Sequence, residues 1–274
     1  DFATEQGGLS AEVIRKAFSA TEEEFLQIVK RSWMAQPEIA SAGSCCLLGI
    51  VSDDLLYVAN LGDSRAVLGR RVSVAGEKGN GRVVAERLTT DHNVGVEEVR
   101  KEVEARHPDD AKIVIHARVS RSIGDVYLKK PEMSRDPLFQ QFGTPVPLKR
   151  AVMTAEPSVT VRKLNPEDMF LILATDGLWE QLSDEAAVDM VQGIARRLVR
   201  AALQEAAKKR EMIYKDITKI EKGVRRYFHD DITVIVMFLD HPSGRLRAKA
   251  SSVDCVSSPA DIYSSSNGSN KDHS

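Results

Sequence analysis

The feature that most constrains this chain is a series of apolar runs, each long enough for a β-strand and too short for a core helix. Three such runs come close together in the first third of the chain: SCCLLGIV, LLYVANLG and RAVLGRRV. The separators are Asp53-Asp54 and Gly62-Asp63-Ser64, residue types that favour tight reversals. Strands joined by tight turns pair antiparallel, so we predict an antiparallel meander here.

Four later segments also have the length and composition of strands. They read VVAERLTTDH, PSVTVRKL, MFLILATD and DITVIVMFL. The first predicts a strand that runs into a turn. The last is rich in β-branched residues, which predicts a buried strand.

Helical periodicity separates these runs. Residues 10–33 place their large apolar side chains on one stripe, with Ser10 as the N-cap. VGVEEVRKEVEARH, SDEAAVDMV (capped by Ser183) and residues 194–210 predict further helices. Tightly connected strands with helices between them predict an α+β domain, in which helices pack outside antiparallel sheets.

Composition sets limits on partners and compartment. The 274 residues carry a formal charge of −2 with both signs interspersed, which argues against nucleic acid or a lipid surface as partners. Three cysteines give no disulfide framework, and no apolar run approaches the roughly 18–20 residues of a transmembrane helix.

The chain begins at Asp1 rather than Met, so we expect a fragment, a processed product or a trimmed sequence. We predict a domain over residues 1–240 and a disordered, Ser-rich tail over 241–274.

Four acidic residues share one position, the junction between an apolar strand and a turn. They are Asp63, Asp125, Asp176 and Asp230. Carboxylates that converge repel each other, by about 4 kcal/mol at 4 Å for an effective dielectric near 20, and a divalent cation converts that cost into binding. An all-oxygen set favours Mg²⁺ or Mn²⁺ over Zn²⁺. The alternative for each residue is an ordinary turn, and spacing alone leaves both interpretations open.

Other candidates have simpler structural explanations. His92 and His229 fit a catalytic role, but packing or loop contacts explain isolated histidines more simply. Arg65 fits a phosphate contact or an equally plausible structural ion pair. Cys45-Cys46 lies in an apolar run, which predicts buried, inert thiols.

Taken together, the segments resemble the metal-dependent serine/threonine protein phosphatases of type 2C. The resemblance rests on seven motifs in the family's order, from about Ala42 to Asp240: GSCCLLGIV, LYVANLGDSRAVL, LTTDHN, VSRSIGDVYL, TAEPSVTV, LILATDGLWE and HDDITVIVMFLD. Details such as EEVRKEVEARHPDDAKIV and RRLVRAALQEAAKKREM are most similar to the plant D clade.

The resemblance implies a sandwich of two antiparallel β-sheets flanked by helices, with two Mg²⁺ or Mn²⁺ ions at one edge. It implies hydrolysis of phosphoserine and phosphothreonine on proteins by a metal-activated water, without a phospho-enzyme. By motif, Asp176 and Asp230 are metal ligands, and Asp63 and Asp125 match positions of a third, weaker ion. Asp231 stands where many members have Asn.

The chain departs from the family pattern in three places. The Asp-Gly-His-Gly-Gly motif and the phosphate-binding Arg before it are absent, so no catalytic residue beyond the metal ligands is assigned. The family's strand before VSRSIGD is missing, since DDAKIVIHAR leads straight into that motif. DMVQGIARR replaces a loop that contains His-Pro in the family. We therefore expect an impaired phosphatase, and the alternatives are a non-catalytic binding or decoy module and a truncated gene product.

The resemblance also carries expectations about partners and location. It implies phosphoprotein substrates, with regulatory proteins as further partners, and a monomeric chain. Its members occur in the cytosol, the nucleus or at the inner face of the plasma membrane, so we expect an intracellular protein.

Overall fold

The computed structural model describes residues 8–73, 81–110, 113–116, 118–140, 148–191, 195–221 and 224–239. The predicted tail at 241–274 lies outside the described residues, as do most of the glycine-rich segment 74–81 and residues 141–147.

Four of the described helices lie where they are predicted, within residues 10–33, 94–107, 183–191 and 194–210, and six further helices of four residues each were not predicted. The described helices are α1 (Ala11–Ser32), α2 (Glu97–Arg106), α3 (Ile113–His116), α4 (Val126–Lys129), α5 (Pro131–Ser134), α6 (Pro137–Gln140), α7 (Asp176–Trp179), α8 (Asp184–Met190), α9 (Ala195–Lys209) and α10 (Tyr214–Ile217). Two 3₁₀ turns occupy Pro37–Ser41 and Arg225–Tyr227. Both predicted caps are confirmed, because the hydroxyl of Ser10 accepts from the Val13 amide and that of Ser183 from the Ala186 amide.

The described strands are all antiparallel to their neighbours in the sheets. They are β1 (Gly43–Ser44), β2 (Cys46–Ser52), β3 (Leu55–Leu61), β4 (Arg65–Val72), β5 (Arg82–Arg87), β6 (Ile123–Gly124), β7 (Ser158–Lys163), β8 (Asp168–Ala174) and β9 (Val234–Phe238). One sheet has the order β2-β3-β7, a second has β5-β4-β8-β9, and β1 pairs with β6 in a short ladder.

The predicted meander is correct for β2 and β3 and wrong for β3 and β4. β3 pairs with β2 and β7, whereas β4 pairs with β5 and β8. Gly62-Asp63-Ser64 therefore carries the chain from one sheet to the other, with Gly62 at φ +116°. A turn signal specifies a change of direction and leaves the next strand's partner open, which is why the sequence did not distinguish the two cases.

Alternation of side chains along the strands builds a sandwich. One set faces the space between the sheets, and all of its members are at most 8% exposed: Leu56, Val58, Ala66, Leu68, Leu171 and Leu173. The opposite face of β3 packs Tyr57, Ala59 and Leu61 against α1. The opposite face of β8 packs Phe170, Ile172 and Ala174 against α7, α8 and α9. Two antiparallel sheets with helices on the outer faces confirm the expected α+β sandwich.

β9 differs from the buried strand that its composition predicts. Within the described residues it lies at the edge of its sheet and pairs only with β8. Ile235 is 57% exposed and Phe238 62% exposed. A high content of β-branched residues favours a β-strand, but it does not distinguish a strand at the edge of a sheet from one at its centre.

Among the described residues, none of the helices combines the length and the apolar character that a membrane crossing needs.

The sandwich core makes a direct prediction about stability. Leu171 is fully buried between the sheets, so Leu171→Ala should lower the free energy of unfolding by about 2–5 kcal/mol, through lost burial and a cavity. Ile235→Ala on the neighbouring strand is the matched control, and it should cost less than about 1 kcal/mol because that side chain is mostly exposed. Urea unfolding of both variants measures the difference, and equal losses would contradict this description of the core.

Candidate metal centre

The ends of β8 and β9 meet at one rim of the sandwich. Ala174, the last residue of β8, pairs with Val234, the first residue of β9. Thr175 extends the contact: its hydroxyl donates to the Asp231 carbonyl at 2.8 Å and accepts from the Thr233 amide at 3.0 Å. β8, which is followed by Asp176, thus pairs with β9, which is preceded by Asp230 and Asp231.

Gly177 allows the close approach of these two segments. A Cβ atom at Gly177 would lie 2.5 Å from the carbonyl oxygen of Asp231 and 3.0 Å from that of Asp230. Any side chain here would push residues 230–231 away from α7. The glycine after Asp176 is therefore required by backbone packing at the rim.

Asp63 reaches the same rim from β4. Arg65 pairs with Ala174, so Asp63 and Asp176 each lie two residues beyond the same strand pair. The Asp63 carboxylate accepts from the Cys45 thiol at 3.3 Å and from the Asn93 amide at 3.4 Å.

A cleft of about 190 Å³ opens at this rim. Its lining consists of Asp63, Arg65, Asp91, Asn93, Gly95, Val96, Asp176, Trp179 and Glu180. The structure thus brings two of the four predicted carboxylates into one cleft, with Asp230 close enough to act on Asp176 electrostatically.

The pKa of Asp176 reports the crowding of negative charge. Burial raises the pKa of this carboxyl to about 6, and Asp63, Asp230 and Glu180 add to the increase. A shift of this kind is common for carboxylates in functional clefts, where burial and neighbouring negative charges disfavour the ionised form.

Glu180 was not identified from the sequence. It follows Asp176 by four residues, on the turn after α7, and lines the same cleft. The signal was present in ATDGLWE, because residues four apart in a helical turn share a face.

Asp125 is not among the residues that line the cleft. It adopts a left-handed backbone at φ +47°, and its amide donates to the Ala42 carbonyl at 2.8 Å. Burial raises its pKa; Ser122 and Lys129 oppose that increase and Glu22 adds to it, and no carboxylate of the cleft contributes. The structure therefore leaves Asp125 outside the cleft, and its assignment to a third ion stays a prediction.

The donor chemistry of the rim suits a hard divalent cation, since its acidic groups are carboxylates. Among the described residues, however, no three His, Cys, Asp or Glu side chains lie close enough together to hold a metal ion. The rim supplies ligands of the right type without a formed cluster.

Arg65 lines the cleft, and its guanidinium is bound by two carboxylates and a ring. It donates to Asp91 through two nitrogens, at 3.1 and 2.5 Å, and to Asp184 at 2.7 Å. Its guanidinium also lies 5.1 Å from the centre of the Trp179 ring. Of the two alternatives left open by the sequence, the geometry supports the structural ion pair.

His92 is a buried structural residue, 2% exposed. Its Nδ1 accepts from the Gly62 amide at 3.1 Å, and its own amide donates to the Gly62 carbonyl at 3.0 Å. Nε2 therefore carries the proton and donates to the Ser158 hydroxyl at 2.8 Å. This reciprocal pair fixes the backbone next to Asp63.

The remaining candidates are half-buried. His229 contacts the Asp230 carbonyl through Nδ1 at 2.8 Å. Cys45 and Cys46 are free and only partly buried, so the prediction of buried thiols is wrong. Burial, followed by the charge of Asp63, raises the pKa of Cys45 to about 12, which keeps the thiol protonated as a donor to that carboxylate.

The neutral His92 predicts a pH dependence of stability. Burial lowers its pKa to about 4, below the ordinary value of 6.5 in the unfolded chain. Its contribution is complete above pH 6.5 and is lost as the pH falls toward 4, by up to roughly 3 kcal/mol. His92→Gln should reduce the loss of unfolding free energy between pH 7 and 5, measured by urea denaturation. His107→Gln, at another buried histidine, is the control, and an unchanged slope for His92→Gln would contradict the prediction.

The charge of Asp176 predicts the opposite effect. Its raised pKa means that the ion-free chain carries an electrostatic penalty that appears as the pH rises from 3.8 to about 6. Asp176→Asn should therefore stabilise the chain in EDTA, by about 1–2 kcal/mol after solvent screening, and more at pH 8 than at pH 4.5. Thermal unfolding at both pH values measures this. Asp109→Asn should give no gain, because Lys149 and Arg150 bind that carboxylate.

Comparison with known proteins supports the fold. The crystal structure of serine-threonine phosphatase 2C from Toxoplasma gondii superposes with a TM-score of 0.51 at 20% identity, covering 83% of this chain and 66% of that chain. At this identity the likeness concerns the arrangement of sheets and helices alone.

Sequence relatives are much closer. The probable protein phosphatase 2C 63 of Arabidopsis thaliana is 61% identical, over 96% of this chain and 73% of its own length. The probable protein phosphatase 2C 34 of Oryza sativa is 58% identical, over 97% of this chain and 73% of its own length. That alignment spans 284 positions against 274 residues here, so the relative carries at least ten internal residues that this chain lacks.

The family model described as Protein phosphatase 2C matches residues 3–212, which is most of the chain. With the antiparallel sandwich, the aspartates at its rim and these relatives together, the chain belongs to the protein phosphatase 2C family of serine/threonine phosphatases.

Proposed function

We propose that the rim at the ends of β4, β8 and β9 is the ion-binding part of a Mg²⁺- or Mn²⁺-dependent phosphatase site that hydrolyses phosphoserine and phosphothreonine on proteins. The observation that carries the proposal is the pairing of Ala174 with Val234, which brings Asp176 and Asp230 to the same end of one sheet. Family membership supports the same chemistry.

Each carboxylate has a role in this proposal. Asp176 and Asp230 would hold the two catalytic ions, and Asp63 with Glu180 would extend the donor set toward a third. A bound divalent ion would neutralise the charge of the phosphate and acidify a coordinated water. The motif assigns Asp125 to that third ion together with Asp63, and Asp125 stays in the proposal on the motif alone.

The chain's own residues hold this arrangement in place. Thr175 joins β8 to residues 231–233, and Gly177 lets the two segments approach. Cys45 and Asn93 orient Asp63. Groups fixed by hydrogen bonds lose little freedom when an ion or substrate binds.

We expect weak turnover by this chain alone. DDAKIVIHAR leads straight into VSRSIGD, without the strand that the family places before that motif. The same observation favours the second candidate function, a non-catalytic phosphatase-like module that binds phosphoproteins or their regulators.

Finer assignments belong to the same proposal. High identity to relatives from two plants supports placement in the plant D clade. Free thiols at Cys45 and Cys46 support an intracellular location, in the cytoplasm or nucleus or at the plasma membrane. We further propose a monomeric catalytic domain over residues 1–240, with 241–274 as a separate tail.

Ion binding and turnover test the proposal together. Titration calorimetry should show Mn²⁺ binding that Asp176→Asn and Asp230→Asn each weaken by at least about tenfold, because each substitution removes a proposed ligand. Hydrolysis of a phosphothreonine peptide should be slow, depend on Mn²⁺, and be abolished by Asp176→Asn.

Asp63→Asn and Asp125→Asn separate the two third-ion assignments. The geometry predicts that only Asp63→Asn lowers the Mn²⁺ affinity of a second, weaker site. Unaltered Mn²⁺ binding in Asp176→Asn would refute the proposed centre, and binding without any turnover would favour the non-catalytic module.

A further inference from the structure

The cleft has one cation among its described lining residues, Arg65. That guanidinium is 13% exposed and is already bound by Asp91 and Asp184. A basic side chain that binds a negatively charged substrate therefore has to come from outside the residues that line the cleft.

The end of α9 contacts the cleft and belongs to a stretch of the sequence that is rich in basic residues. Residues 195–229 contain eleven Lys and Arg residues against four Asp and Glu, although the whole chain has a net charge of −2. Lys209, at the end of α9, anchors the segment at the cleft by donating from Nζ to the Glu180 carbonyl at 2.7 Å.

Among the described residues of this segment, Arg226 is paired with the carboxylate of a proposed ligand, Asp230. Its Nη2 lies 3.7 Å from Asp230 Oδ1, and its side chain is 77% exposed. This separation is longer than a hydrogen bond. Exposed ion pairs of this kind contribute about 0–1 kcal/mol, so Arg226 can exchange Asp230 for another carboxylate at little cost.

We propose that Arg226 determines substrate specificity, by binding acidic side chains next to the phosphorylated residue. The inference rests on the proposed function and adds the substrate class: phosphoproteins with Asp or Glu near the phosphorylated Ser or Thr.

The position of Arg226 favours neighbouring carboxylates over the phosphate itself. It lies on the 3₁₀ turn Arg225–Tyr227, before Asp230, and is not part of the cleft lining. A guanidinium presents a planar fork of donors that matches a carboxylate, and the high exposure leaves that fork accessible.

Peptide binding by the full chain tests this inference. Two labelled phosphothreonine peptides of equal length, one with Glu and one with Gln flanking the phosphothreonine, are titrated with Mg²⁺ present and followed by fluorescence anisotropy. We expect wild type to prefer the acidic peptide. Arg226→Ala should reduce that preference about threefold and Arg226→Glu further, while Arg226→Lys, which keeps the charge but not the planar fork, should retain only part of it.

Lys219→Ala is the matched control. Lys219 is 76% exposed and lies 3.9 Å from Asp216, a similar surface ion pair that does not involve a proposed ligand. We expect the Lys219→Ala variant to prefer the acidic peptide as strongly as wild type does. The inference is overturned if Arg226→Ala leaves the preference unchanged, if Lys219→Ala lowers it equally, or if neither peptide binds.

Turnover of both peptides with Mn²⁺ separates this inference from the proposed function. A preference that depends on Arg226, without hydrolysis of either peptide, would support the docking residue and count against catalysis by this chain. Hydrolysis of both peptides, with a preference that ignores Arg226, would overturn the inference alone.

Discussion

The ion pairs of Arg65 are the interaction on which the rest of the rim depends. One guanidinium, at the start of β4, binds Asp91 after β5 and Asp184 at the start of α8, and it lies over the ring of Trp179 in α7. Arg87 adds a second contact to Asp184 at 2.8 Å. Strands and helices are thus joined where the sheet ends. Buried charges persist only when they are paired, so removing Arg65 would leave two partly buried carboxylates without their main partner.

Around this junction the fold accumulates negative charge. Asp63, Asp176 and Asp230 come from three different strand ends, and the backbone contacts at Thr175 and Gly177 keep two of those ends together. Packing of the sandwich, and not attraction between the carboxylates, holds them near one another. A fold that holds mutually repelling carboxylates together is stabilised by any cation that binds them, because a ligand that binds only the folded state shifts the unfolding equilibrium toward that state.

Much of this architecture was predictable from local patterns. The stripe and cap of α1, the strand runs and the helix after Ser183 all follow from periodicity and end signals, which depend on residues close in sequence. The partner of β4 was not predictable, because a turn at Gly62–Ser64 looks the same for a hairpin and for a crossing between sheets. The edge position of β9 and the buried role of Arg65 likewise depend on residues far away along the chain. For the site, the residue types at strand ends identified candidates, but which of them line one cleft is a property of strand pairing. Asp125 has the same local sequence pattern and is not among the lining residues of the cleft, whereas Glu180, on the turn after α7, is.

The crossing at Gly62–Ser64 has a mechanical consequence. Asp63 sits on the link between the two sheets, held through His92 to the first residue of β7, whereas Asp176 extends from β8, which pairs with β4 in the second sheet. The distance between these two carboxylates therefore depends on the β4–β8 pairing and also on how the link is held to the first sheet. Substitutions deep in the shared core, far from the rim, that shift one sheet against the other are expected to move Asp63 through this link.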